Sequence, residues 1–310
     1  MSLKALQTAL GNLRQTQLNI ETVILGKSEQ ITMALCCLLC KGHLLIEDIP
    51  GMGKTTLSHA LANALGLSYN RIQFTSDLLP ADLLGLNLFD KNSNEFVFHP
   101  GPLFAQLVLA DEINRATPKA QSALLEAMEE RQISIEGTTH PLPKPFFVIA
   151  TQNPSDQSGT YLLPESQMDR FFMRIHLGFP PPKAERELLQ GVDRRAMVQA
   201  MESMLSPDTL TVLQDAVERI HTSDALLDYV QRIIAFTRSG SKMGNGLSPR
   251  GAIALVRAAK AWALMHERDF ALPDDVQAVL PAVIEHRLGS SSRASHHPLS
   301  EQILQQVPAL

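Results

Sequence analysis

Cysteine is scarce in this chain. Only Cys36, Cys37 and Cys40 occur in 310 residues, an odd number crowded into one short segment, which excludes a disulfide framework. Cys37, Cys40 and His43 have the spacing of a metal or redox cluster. They fall in the apolar run LCCLLC (35–40), however, with no second ligand pair elsewhere, and read as small hydrophobes on a packed helix. Aromatics are also few, 5% with one Trp, and 27 Lys+Arg against 32 Asp+Glu leave a net charge of −5 at pH 7. These shortages leave no strong nucleic-acid signal and no global attraction to anionic lipid. Long apolar runs are missing as well: the most apolar stretch, Ile31 to Cys40, stops at Lys41 and Gly42, far short of the roughly 20 residues of a membrane span. The first residues, MSLKALQTALGNLRQ, mix polar and apolar types without a cleavage site, so a cytoplasmic location is expected.

What is present is a globular balance, 45% hydrophobic and 19% charged, which excludes a disordered or fibrous chain. Apolar runs bounded by turn residues give strand candidates at His43–Glu47, Asn70–Phe74, Leu107–Asp111, Phe146–Thr151 and Phe171–Leu177. Helix-like or inserted segments separate them, the pattern of a parallel five-stranded sheet covered by helices, an α/β core over 1–180. Glu95–His99 and Gln132–Pro141, the latter with Gly137 at its turn, read as inserted hairpins. Gly178-Phe179-Pro180-Pro181-Pro182 holds neither a helix nor a central strand and marks a linker. Beyond it, start signals at Ser206, Ser223, Ser248 and Pro273 predict a small all-α domain over 184–288. A polar connection and tail follow at 289–310.

The chemistry concentrates in the segment His43 to Thr56. An apolar strand enters Asp48-Ile49-Pro50-Gly51-Met52-Gly53-Lys54-Thr55-Thr56 and a helical run follows, the context of a P-loop. Glycines let successive N–H groups close on phosphate oxygens, the helix start adds partial positive charge, Lys54 reaches the β and γ phosphates, and the Thr55 hydroxyl ligates Mg²⁺. The strict GxxxxGK(S/T) pattern asks for glycine where Asp48 stands; Gly51 and Gly53 occupy the positions of closest phosphate approach. Leu107-Val108-Leu109-Ala110-Asp111-Glu112 is a buried strand ending in two acids. Asp111 suits Mg²⁺ and Glu112 suits polarisation of the attacking water. A third apolar strand ends at Asn153, which suits orientation of that water or sensing of the γ phosphate.

These segments resemble the AAA+ ATPases and, within them, the MoxR family. The likeness runs through LLIEDIPGMGKTTL (44–57), RIQFTSDLLPADLLG (71–85), GPLFAQLVLADEINRATPKAQSALLEAMEERQISIEG (101–137), FFVIATQNP (146–154), LPESQMDRFFMRI (163–175) and GLSPRGAIALVRAAKAWA (246–263). The resemblance implies an AAA+ core with a helical lid, binding ATP and Mg²⁺, and an acid at Asp48 is common in the family. It assigns Walker A to Gly51, Met52, Gly53, Lys54, Thr55 and Thr56, Walker B to Asp111 and Glu112, and sensor 1 to Asn153. It gives Arg170 as the arginine finger offered to a neighbouring subunit, with Arg174 as the alternative, Arg250 as sensor 2, and Gly26 and Lys27 as the bracket for adenine. It implies a homo-oligomer, a hexameric ring, with a hinge at Gly178–Pro182 and insertions at Leu84–Pro100 and Gln132–Pro143 toward the pore or face. It also implies chaperone action on partner proteins carrying von Willebrand factor A domains. A nucleotide-gated scaffold with slow hydrolysis and a nucleic-acid motor or clamp loader are the competing readings.

Overall fold

The structure, a computed structural model, describes residues 3–153, 159–191, 193–239, 246–288 and 298–309. Pro154 of the FFVIATQNP block and the polar connection 289–297 lie outside the described residues. Helices α1 (Leu3–Val23) and α2 (Ser28–Leu39) precede strand β1 (Leu44–Glu47), which α3 (Lys54–Ala64) links to β2 (Tyr69–Gln73). Short α4 (Pro80–Leu84) and a hairpin, β3 (Gly85–Asp90) with β4 (Glu95–Pro100), lead to β5 (Leu107–Asp111). A single 3-10 turn, Ile113–Arg115, and α5 (Pro118–Glu130) follow, then a second hairpin, β6 (Gln132–Ile135) with β7 (Thr138–Pro141), and β8 (Phe147–Gln152). Short α6 (Glu165–Met168) precedes β9 (Met173–Ile175). The remaining elements are helices: α7 (Pro182–Leu189), α8 (Arg194–Gln199), α9 (Pro207–Glu218), α10 (Asp224–Ser239), α11 (Pro249–Met265), α12 (Pro273–Leu288) and α13 (Leu299–Gln306).

The five core strands form one parallel sheet in the order β2-β5-β8-β1-β9. Alternation along each strand divides the apolar residues between two faces. Leu44, Ile46, Leu107, Leu109, Phe147 and Ile149 face one core, and Leu45, Val108, Ala110, Val148 and Ala150 face the other. Covering both faces explains why these strands are continuous apolar runs. The expected span Leu107–Asp111 coincides with β5, and Phe171–Leu177 shortens to Met173–Ile175. Both inserted hairpins form, and the second turns through Glu136 and Gly137, each at positive φ, as a two-residue hairpin turn requires.

The first core passes from the sheet through α2 and α3 to the C-terminal helices, including Leu210, Leu255, Val276 and Ile303. Helix α2 is therefore packed on the sheet side and on α11, which accounts for its wholly apolar cysteine segment. All three cysteines are buried and free, and Cys36 Sγ and Cys40 Sγ approach Ala258 O (3.6 Å) and Arg257 O (3.4 Å). Ser206 and Ser248 cap α9 and α11 through Thr209 N (3.1 Å) and Gly251 N (3.0 Å). The Gly178–Pro182 segment is pinned to the start of the P-loop. Gly178 N donates to Asp48 Oδ2 (2.6 Å), and Lys27 Nζ donates to Phe179 O (2.7 Å). No helix among the described residues is long and apolar enough to cross a membrane.

Candidate active site

The sheet order brings the separate motifs to one carboxyl edge. Strand β8 lies between β1 and β5, so Asn153 emerges between the P-loop and the Asp111-Glu112 pair. Together they line a cavity of about 290 Å³. Gly51 (φ 87°) and Gly53 (φ 88°) hold left-handed backbone with open space where a Cβ would stand, so conformation rather than crowding requires glycine. Helix α3 opens at Lys54 with no side-chain cap, leaving its first-turn N–H groups for an anion. Lys54 Nζ donates to Asp48 O at 2.5 Å. Burial lowers the Lys54 pKa, and the charges of Asp48, Asp111 and Glu112 oppose that shift.

Asp111 is buried and positioned on both oxygens. Oδ1 accepts from Thr151 Oγ1 (2.6 Å), and Oδ2 accepts from Arg71 Nη2 (2.7 Å) and Nε (3.1 Å). The same Thr151 hydroxyl accepts from Glu112 N (2.8 Å), fixing the two acids relative to each other. Glu112 sits at φ 56°, left-handed for a residue with a side chain, a conformation concentrated at functional sites. Its Oε2 accepts from Gln73 Nε2 (2.8 Å) and Arg115 Nη1 (3.1 Å). Glycines at positive φ, an uncapped helix start, a lysine, a threonine hydroxyl at Thr55 and a buried carboxylate form a donor set that fits a polyphosphate with Mg²⁺. Lys54 and the loop would hold phosphate, and Thr55 and Asp111 would hold the metal ion, which would neutralise phosphate charge.

Not every residue assigned from the sequence lines this cavity. Met52 packs against the first core. Gly26 and Lys27 lie on the flank: Lys27 holds Phe179 O near Asp48, and a Cβ on Gly26 would meet Pro181 at 2.6 Å. Arg170 and Arg250 line a second cavity of about 210 Å³, where both pair with Glu129 at the end of α5. Arg250 is thus away from its own chain's P-loop. Arg174, held on β9, pairs with Glu47 (2.8 Å), is mostly covered and is engaged within its own chain.

Four contributors escape a reading of the sequence alone: Thr151, Arg71, Gln73 and Arg195, the last of which also lines the P-loop cavity. Arg71 and Gln73 alternate along β2, and the register Gln73↔Asp111 sets them beside the acids. Only knowledge that β2 neighbours β5 reveals this. Thr151 carries a local signal, a hydroxyl at the end of an apolar strand.

Residues 43–173 match the model of the ATPase family associated with various cellular activities, and residues 235–307 match the AAA lid domain. The chain is 43% identical over 270 residues to the uncharacterized protein YeaC of Bacillus subtilis, covering 87% of this chain and 84% of that one. It is 38% identical to the chaperone MoxR1 of Mycobacterium tuberculosis over 97% of this chain and 82% of the relative. With MoxR of Paracoccus denitrificans the figures are 33%, 96% and 93%. A crystal structure of a candidate ATPase from Cytophaga hutchinsonii superposes with a TM-score of 0.88 at 34% identity, covering 98% of this chain and 96% of the other. Matching the AAA ATPase and AAA lid models, and 38% and 33% identical to the two MoxR relatives over 82% and 93% of their lengths, this chain belongs to the MoxR family of AAA+ ATPases.

Proposed function

We propose that this chain hydrolyses MgATP as one subunit of a hexameric cytoplasmic ring and acts as a chaperone that remodels partner proteins. The observation that carries this reading is the division of the reactive groups. Lys54, Thr55, Asp111, Glu112 and Asn153 share one cavity, whereas Arg170 and Arg250 share another. Glu112 takes the role of base, accepting a proton from the attacking water, and Asn153 orients that water. Arg170 from a neighbour, with Arg250 beside it, supplies positive charge as charge builds on the γ phosphate. Gly26 and Lys27 flank the adenine through their contact with the Gly178–Pro182 segment, with 1–180 as the core, 184–288 as the lid and 289–310 as the tail. The relatives named MoxR1 and MoxR support chaperone action, and proteins with von Willebrand factor A domains are the clients we infer. Leu88, Phe89 and Phe96 stand exposed on the β3–β4 hairpin, Phe96 at 71%, and offer an apolar surface to such a client.

The test is steady-state MgATP hydrolysis across protein concentration, with mass followed by light scattering. Turnover per subunit should rise with assembly, and Glu112→Gln should bind ATP without hydrolysing it. The second reading, a nucleotide-gated scaffold with slow hydrolysis, draws support from the hold of Gln73 and Arg115 on Glu112. Turnover that is absent, or indifferent to Glu112→Gln, while ATP still binds, selects it.

A further inference from the structure

Two adjacent arginines at the start of α8 turn in different directions. Asp193 caps the helix, accepting from the N–H groups of Arg195 (2.9 Å) and Ala196 (3.2 Å). Arg194 reaches α1, where Nη1 donates to Thr22 O (2.8 Å). Arg195 instead joins the wall of the P-loop cavity beside Lys54, Thr55 and Glu112. Its guanidinium makes no hydrogen bond or ion pair with the described residues. The other charged groups there are engaged: Lys54 on Asp48 O, Asp111 with Arg71, and Glu112 with Gln73 and Arg115.

The element that carries Arg195 is tied to the P-loop helix. Asn63 Nδ2 of α3 donates to Val198 O of α8 (2.7 Å), and Met204 N, in the segment after α8, donates to Ala64 O at the end of α3 (3.2 Å). Arg195 is therefore placed by the same helix that begins at Lys54. Arg250 sits on Glu129 in the other cavity.

We propose that Arg195 binds the phosphates of the nucleotide from within its own chain, providing the cation that Arg250 does not supply there. The inference rests on the reading of this cavity as an MgATP site. A guanidinium is charged throughout the pH range of a folded protein and presents paired donors matched to phosphate oxygens. Arg195 is exposed, so its replacement leaves the packing intact.

The experiment is titration of the full-length chain with MgATP, MgADP and AMP, comparing the parent with Lys54→Ala, Arg195→Ala and Arg195→Lys at two salt concentrations. Light scattering establishes that all are compared in one assembly state. Arg195→Ala should weaken MgATP binding roughly ten- to a hundredfold, the range of a charge-assisted hydrogen bond. AMP affinity should change less, Arg195→Lys should recover part of the loss, and the melting temperature without nucleotide should stay that of the parent. Equal affinities of parent and Arg195→Ala for all three nucleotides, with Lys54→Ala impaired, would overturn the inference and leave the P-loop reading standing. If the parent binds no nucleotide, both fail together.

Discussion

Arg170 and Arg250 share the carboxylate of Glu129: Arg170 Nη2 lies 3.3 Å from Oε2, and Arg250 Nη2 pairs with Oε1. All three side chains are partly exposed, where a single ion pair contributes little to stability. The pairing gathers two cations on one surface, away from the P-loop of the same chain.

That placement predicts complementation between two inactive variants. Arg170→Ala and Glu112→Gln should each lose turnover, the former by about 10³ or more if it acts as an arginine finger. Mixing them should restore measurable hydrolysis, because some interfaces then join an intact Glu112 to an intact Arg170. Mixtures no more active than either variant alone would refute action across the interface.

If Glu112 is the base, as proposed, the hydrogen bond it accepts from Gln73 restrains it. Replacing Gln73 with Leu removes one hydrogen bond to an ionised carboxylate, worth about 1.5 to 3 kcal/mol, so unstimulated turnover should rise by roughly tenfold or more. Stopped-flow phosphate release on the parent and Gln73→Leu measures this directly. A fall in rate would show that Gln73 aligns Glu112 for the reaction instead of restraining it.

Thr151 joins Asp111 Oδ1 and Glu112 N through one buried hydroxyl. Thr151→Val keeps the volume but leaves a buried carboxylate short of a donor, at a cost of roughly 1 to 3 kcal/mol. Chemical denaturation should register that loss, and the Mg²⁺ concentration needed for half-maximal turnover should rise. Thr151→Ser should regain most of both, whereas no recovery would place the effect in packing.

Acid should weaken the fold through His43. The imidazole is buried, Nδ1 accepts from Val148 N (3.0 Å), and Nε2 donates to Met128 O (3.1 Å). Burial, chiefly, pushes its pKa down to about 4, below the ordinary value near 6.5 of the unfolded chain. The unfolded state therefore takes up the proton first. The stabilisation is complete above about pH 6.5 and is lost as pH falls toward 4, amounting to roughly 3 kcal/mol over that interval. Burial drives His286 in the same direction. Melting temperatures between pH 7.5 and 5 should fall less steeply for His43→Gln than for the parent; parallel slopes would remove His43 from the account.

The sheet was legible because its strands are local events: apolar runs of the right length, each stopped by a turn. The P-loop and the Asp111-Glu112 pair were legible for the same reason, since each lies within one short segment. Arg71 and Gln73 were not, because their relation to Asp111 and Glu112 exists only once β2 lies against β5. Arg195 was hidden among several arginines of a helical stretch, and its direction follows from the packing of α8 on α3. Asp169 and Arg170 are adjacent in the chain and opposite in charge. The fold instead gives Asp169 to Arg287 (2.7 Å) and Ser248, and Arg170 to Glu129. Adjacency in the chain says little about partners when the helices that supply them arrive from far away.

The contact between Asp48 and Gly178 has a mechanical meaning. One carboxylate accepts from Ile49 N (2.9 Å), within the loop that shapes the nucleotide site, and from the backbone that leads into the C-terminal helices. A strain on that backbone is thus transmitted to the loop within one residue's reach. By thermodynamic reciprocity, a nucleotide that alters the loop alters the grip on that backbone by the same factor. A load that displaces Gly178 would then change nucleotide affinity at a distance, without touching the nucleotide.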